Sequence, residues 1–169
     1  MEPEPVREVY AGRLIRVEVQ DRPGGAHDIV RHPGAAAVVP ITPQGDVLLV
    51  RQLRPAVGQA LTEIPAGLLD QDGEDALSCA ARELFEETGF RHETIQFLGG
   101  YFSSAGFTDE YVHLFVAATR AEPDAEPEEG IEVLRRPFVE MAQAARAGRV
   151  RDAKTALGLL LAEAQGYGP

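Results

Sequence analysis

The stretch "AARELFEETGF", residues 80–90, places Glu83, Glu86 and Glu87 within two helical turns, with Arg82 beside them and a glycine stop at Gly89. At 100° per residue, Ala76, Leu77, Ala80, Ala81 and Leu84 share one face, which is expected to pack on a core. Taking Glu83 as the zero direction, Glu87 lies about 40° to one side and Glu86 about 60° to the other. The three carboxylates therefore form a strip along one border of the buried face. Helical neighbours of this kind sit roughly 5–6 Å apart at Cβ. At an effective dielectric near 20, a like pair at ~5.5 Å repels by roughly 3 kcal/mol. Exposed glutamates swing apart into water, but glutamates at the edge of a cleft must take up protons or bind a cation. Hard carboxylate oxygens suit magnesium or manganese. The competing reading is a solvated helix face with Arg82 paired to Glu86 at i,i+4.

Working outward, the helix is expected from about Glu74 to Thr88. Asp72 is the expected N-cap, with Glu74 and Asp75 at the positive end of the dipole and Gly89 at C′. Upstream, "RLIRVEVQ" (13–20) and "HDIVRH" (27–32) flank "DRPGGA" as a hairpin. "GAAAVVPIT" (34–42) and "DVLLVRQL" (46–53) are apolar runs separated by "PQG". Arg54 to Gly73 reads as a loop rich in glycine and proline. Downstream, "TIQFLGGYFSS" and "EYVHLFVAAT" read as strands, "RAEPDAEPEEG" as an acidic loop and "IEVLRRP" as a short strand. Helices are expected near 137–147 and 153–165. Strands at the front with helices inserted and appended indicate an α+β sandwich. The strand–helix alternation and GxGxxG of a doubly wound sheet are missing.

The bulk numbers bound the rest. A chain of 169 residues suits one domain with a sizeable core. A formal net charge of −11 argues against nucleic acid or an anionic membrane surface as the main partner. The N-terminal "MEPEPVREVY" lacks the basic-then-apolar pattern of a signal peptide. No apolar run approaches the ~18 residues of a membrane span. The single Cys79 excludes an internal disulfide, and four histidines without CxxC leave no zinc-finger spacing. A cytoplasmic protein is expected. Cys79, one turn before Glu83, is too soft a ligand for magnesium and reads as a space-filler. His113, in a strand, reads as structural.

Residues 67–90, "GLLDQDGEDALSCAARELFEETGF", resemble the Nudix box, the loop–helix motif of the Nudix hydrolase family. From Glu74 the match is complete through Arg82-Glu83, Leu84, Glu86-Glu87, Gly89 and Phe90. The family has five residues between the glycine and first glutamate, whereas Gly67 and Glu74 enclose six. The extra residue falls in the loop and leaves the helix register untouched. The resemblance implies an α/β/α sandwich of mixed sheet carrying the N-terminal antiparallel hairpin. It implies one domain over 1–169, with 1–33 as a dimerising strand segment and 34–169 as the catalytic core. It implies Mg2+ (or Mn2+) held by Glu83, Glu86, Glu87 and the carbonyl of Ala66, with Arg82 and Glu74 orienting the glutamates.

Further pieces, "VRQLRPAVG" (50–58), "EIPAG" (63–67), "SAGFTDE" (104–110) and "EEGIEV" (128–133), resemble the ADP-ribose pyrophosphatase branch. By that resemblance Arg51 and Arg54 contact the substrate, Gly106 and Glu110 line the terminal ribose, and Glu129 is the general base, with direct activation of water by the metals as the alternative. Ala105 stands where the branch usually has proline. Phe107 reads as packing on the core rather than on substrate. The implied activity is metal-dependent hydrolysis of ADP-ribose to AMP and ribose 5-phosphate by a homodimer. The alternatives are another nucleotide sugar or dinucleotide (ADP-glucose, GDP-mannose, NADH), or a non-catalytic ADP-ribose-sensing module.

Overall fold

A computed structural model describes residues 6–168. Residues 1–5, the start of the expected 1–33 segment, and Pro169 lie outside the described residues. Among the described residues, ten strands and three α-helices form two sheets and two helical layers. The first sheet is antiparallel, in the order β1 (Val6–Ala11), β2 (Arg16–Arg22), β3 (Gly25–Arg31). The β2–β3 hairpin matches the expected pairing, and Gly24 at φ 108° supplies the left-handed turn. β1 was not legible as a strand, because all six of its residues are exposed and no apolar alternation marks it.

The second sheet is mixed. Its path is β10 (Glu132–Pro137), β5 (Asp46–Arg54), β4 (Ala35–Ile41), β9 (Tyr111–Thr119), β8 (His92–Phe102). β4 runs parallel to β9, and the other pairings are antiparallel. The expected loop at 54–73 holds two further strands, a correction to the sequence reading. β6 (Gln59–Glu63) pairs with β5, and β7 (Ala66–Leu68) pairs with β4. Both are short and take their identity from the strand they join rather than from their own pattern.

β4 reads as an unbroken apolar run because both of its faces are covered. Ala36 and Val38 pack with Leu48, Ala80, Leu84 and Phe115 under α1 (Ala76–Thr88). Ala35, Ala37 and Val39 pack with Ile64, Leu114 and Leu159 under α2 (Phe138–Arg146) and α3 (Ala153–Ala164). One helix on one face and two on the other make the expected α/β/α sandwich. Among the described residues, no helix is long and apolar enough to cross a membrane.

α1 begins two residues later than expected. Asp75, not Asp72, is the N-cap, and its side chain accepts the Ser78 N–H at 2.7 Å. The extra residue before Glu74 is absorbed in a turn, where Glu74 N–H donates to Gln71 O at 3.1 Å and Gly73 adopts φ 78°. Gly89 at φ 77° closes the helix as expected, its N–H on Phe85 O at 2.8 Å. The buried arc is rotated from the expected one. Leu77 is 44% exposed, whereas Cys79 and Glu87 are buried. Of its carboxylate border, the helix turns Glu83 and Glu87 inward, toward β7, and leaves Glu86, the third of the expected strip, exposed.

Candidate active site

Three elements meet along that border: α1, the end of β5, and the segment from β6 into β7. Glu87 is 5% exposed, and its carboxylate accepts the Ala66 N–H at 3.1 Å and the Gln52 amide at 3.4 Å. Strand alternation explains the first contact. Val38 N–H donates to Pro65 O and Leu69 N–H to Gly34 O, so Ala66 sits at a position whose N–H and C=O both face away from β4. The N–H takes Glu87, and the carbonyl lies on the same outer edge of β7. Burial pushes the Glu87 carboxyl up to about 7, and the Ala66 N–H offsets only part of that.

Glu83 lies over Gly67. A Cβ built on Gly67 would land on the Glu83 carboxylate, so the box glycine is a cradle that only hydrogen can line. Burial also raises the Glu83 carboxyl, against the opposing pull of Arg82. Arg82 gathers the remaining acids. Its Nε and Nη2 meet Glu74 at 2.8 and 2.9 Å, and its Nη1 meets Glu83 at 2.5 Å and Glu86 at 2.9 Å. Glu74 holds the Arg82 guanidinium firmly charged, and Arg82 in turn depresses the Glu74 carboxyl. The i,i+4 pair of the competing reading therefore exists, but inside a larger array.

Among the described residues, no three His, Cys, Asp or Glu side chains converge into a ready-made metal cage. The donor chemistry nevertheless fits a divalent cation. Glu83 and Glu87 are inward-facing carboxylates, Ala66 offers a carbonyl on the same edge, and among the described residues the only cation bonded to the trio is Arg82, already shared with Glu74.

The other expected residues are distributed more widely. On β5, alternation turns Gln52 and Arg54 toward Glu87, while Arg51 points to the opposite side and meets Glu132 at 3.5 Å in solvent. Arg54 forks onto Glu63, Nε and Nη2 at 2.7 and 2.8 Å. Gly106 lines a cleft of about 420 Å³ with Ile29, Phe102 and Phe107. Its loop docks on β3 through Val30 N–H to Phe107 O and Asp109 N–H to Val30 O. Phe107 is 55% exposed, which corrects its expected packing on the core. Glu110 stands 3.8 Å from His32. Glu129 is exposed in the acidic loop, and its neighbour Glu128 is tied to the helix by N–H donation to Glu86 O at 2.8 Å. A larger cavity, about 590 Å³, opens between β3 and β7 and is lined by Arg13, Arg16, Arg31, His32, Leu68 and Asp70.

Cys79 is a space-filler as expected. Its thiol donates to Leu68 O at 3.4 Å, and burial pushes it to about 12. His113 stacks edge-on against Tyr111 at 4.9 Å. Sequence reasoning missed Gln52 and Glu63; the spacing of two from Arg54 pointed to the first, and "EIPAG" contained the second.

Residues 30–158 match the family model described as NUDIX domain. A Bacillus methanolicus protein named methanol dehydrogenase activator is 34% identical over 161 residues, covering 90% of this chain and 86% of that one. The Bacillus subtilis (strain 168) ADP-ribose pyrophosphatase is 33% identical over 161 residues, again 90% and 86%. A solved structure titled an ADP compounds hydrolase shares the fold at TM-score 0.77 and 23% identity, covering 96% of this chain and 94% of that one. With the complete run from Arg82 to Phe90 seated on a β7 glycine cradle, these matches establish that the chain belongs to the Nudix family.

Proposed function

We propose that this chain is a magnesium-dependent pyrophosphatase that adds water across the diphosphate of ADP-ribose, giving AMP and ribose 5-phosphate. The observation that carries the reading is the inward pair Glu83 and Glu87, set against Gly67 and Ala66, with no cation among the described residues bonded to them beyond Glu83's share of Arg82. Glu83, Glu86, Glu87 and the Ala66 carbonyl would hold the ion. When bound, the ion supplies neutralisation of the diphosphate and acidifies a coordinated water.

The chain's own residues do the rest. Arg82 keeps Glu83 and Glu86 aligned, and Arg54 offers its free Nη1 edge to the diphosphate. Glu129 takes the proton from the attacking water. Gly106 and Glu110 take the terminal ribose, and the cavity between β3 and β7, within the usual size range for small-molecule sites, receives the remainder of the substrate. The exposed Val6, Val9, Tyr10 and Leu14 on the N-terminal segment favour a homodimer built through that sheet, and the dimer is taken to work in the cytoplasm.

The test is a panel of ADP-ribose, ADP-glucose, GDP-mannose and NADH assayed with magnesium and with chelator, with products identified. ADP-ribose should give the highest kcat/KM and yield only AMP and ribose 5-phosphate. A ranking that puts it among the poor substrates, or turnover that survives chelation, sinks the proposal.

A further inference from the structure

We propose that Lys154, on α3, is a positioning residue for the Arg54 guanidinium, acting through the buried carboxylate of Glu63. The inference rests on the reading of Arg54 as a contact to the substrate diphosphate. Glu63 is 1% exposed and carries two cations. Arg54 meets it through Nε and Nη2, and the Lys154 ammonium also bonds Oε2, the oxygen taken by Arg54 Nη2. Lys154 is held in turn by Asp152 at 2.9 Å.

Asp152 caps α3, accepting the Thr155 N–H at 2.9 Å and the Thr155 hydroxyl at 2.5 Å. The same Thr155 oxygen accepts the Ile64 N–H at 2.9 Å. The first turn of α3 is thus fastened to Glu63 and Ile64, two residues ahead of the Ala66 N–H that holds Glu87.

Two consequences follow for Arg54. Its Nε–Nη2 edge is occupied, so the guanidinium plane is fixed and only the Nη1 edge remains for an anion. The pairing is also shared. Arg54 and Lys154 together are balanced by Glu63 and Asp152, and Lys154, held by Asp152, fixes the carboxylate oxygen on which Arg54 Nη2 rests. Burial works to raise the Glu63 carboxyl, and the two cations more than reverse this, so the carboxylate stays ionised between them. Lys154 sits on the helical layer opposite α1 and touches no expected metal ligand.

Steady-state kinetics on the full chain with ADP-ribose and magnesium test the assignment. Lys154→Met should raise KM about five- to tenfold with kcat within about twofold, and Lys154→Arg should restore KM. In an Arg54→Ala background, Lys154→Met should move KM less than about twofold, because the residue it acts through is gone. An unmoved KM, or the same factor in both backgrounds, overturns the proposal. If Lys154→Met does not fold, Lys154→Gln carries the same comparison. If the wild type does not turn over ADP-ribose, the substrate reading fails, and positioning is read from calorimetric titration with magnesium pyrophosphate. The Kd should then rise about fivefold in Lys154→Met and recover in Lys154→Arg. An unchanged Kd, or no binding by the wild type, overturns the positioning role.

Discussion

Replacing Glu87 with glutamine should make the metal-free protein more stable while removing its activity. The ordinary value of 4.5 for this carboxyl is raised to about 7 in the fold, chiefly by burial. Between those values the folded protein keeps a proton that the unfolded chain has released, so stability falls as pH rises from 4.5 to 7 and then levels off. At ~1.4 kcal/mol per pH unit, an ionised Glu87 costs the fold about 3 kcal/mol at pH 8. Glutamine has the same shape and carries no charge; its oxygen can still accept the Ala66 N–H, and a flipped Gln52 amide can accept from its NH2 group. Urea unfolding in chelator should therefore find Glu87→Gln more stable than wild type by about 3 kcal/mol at pH 8, with an unchanged m-value, and nearly equal to it at pH 4.5. Added magnesium should narrow the gap at pH 8, because an ion bound to the wild type relieves the same buried charge. Equal stabilities at pH 8 in chelator, or a less stable variant, would refute the claim that this carboxylate is held in the fold at a cost.

Other perturbations bear on the same architecture. Gly67→Ala puts a methyl where the Glu83 carboxylate lies and should lower kcat/KM by about 10²-fold, with the melting temperature within a few degrees of wild type. Thr155→Val strands the buried Ile64 N–H and removes a capping donor; urea unfolding should show a loss of about 1–3 kcal/mol. Leu84→Ala opens a void in the cluster under α1, and thermal or urea unfolding should report about 2–5 kcal/mol. Glu129→Gln should lower kcat by about 10²-fold or more at nearly constant KM. A loss confined to Glu128→Gln in parallel assays would move the base one residue back.

What could be read from the chain alone was what local chemistry determines. The spacing of Ala80, Leu84 and Glu87 and the stop at Gly89 set the helix, and β4 announced itself as an apolar run because it is covered on both faces. The failures were places where something other than a residue's own pattern decides, a neighbouring turn or a distant partner. Asp72 and Asp75 are equivalent as caps until the turn at Gln71–Glu74 chooses between them. β6 and β7 exist because β5 and β4 offer open edges, which five- and three-residue segments do not advertise. Leu77 fits the apolar stripe, yet it ends up in solvent because the helix rolls Glu83 and Glu87 inward. The Glu63–Lys154 pair joins residues 91 apart, with no pattern in either neighbourhood to connect them.

The three-stranded N-terminal sheet contributes nothing to either buried cluster, whose members all lie between Ala35 and Ala162. It is fastened instead by a short bridge at Val30–Thr108 and by Arg31 and His32 on Asp109. A piece attached by its rim can be remodelled, or traded for another of different shape, without reopening the interior. Evolution can therefore redraw the walls of the β3–β7 cavity while the hydrolytic machinery beneath stays as it is, and limited proteolysis should trim the attachment long before the sandwich comes apart.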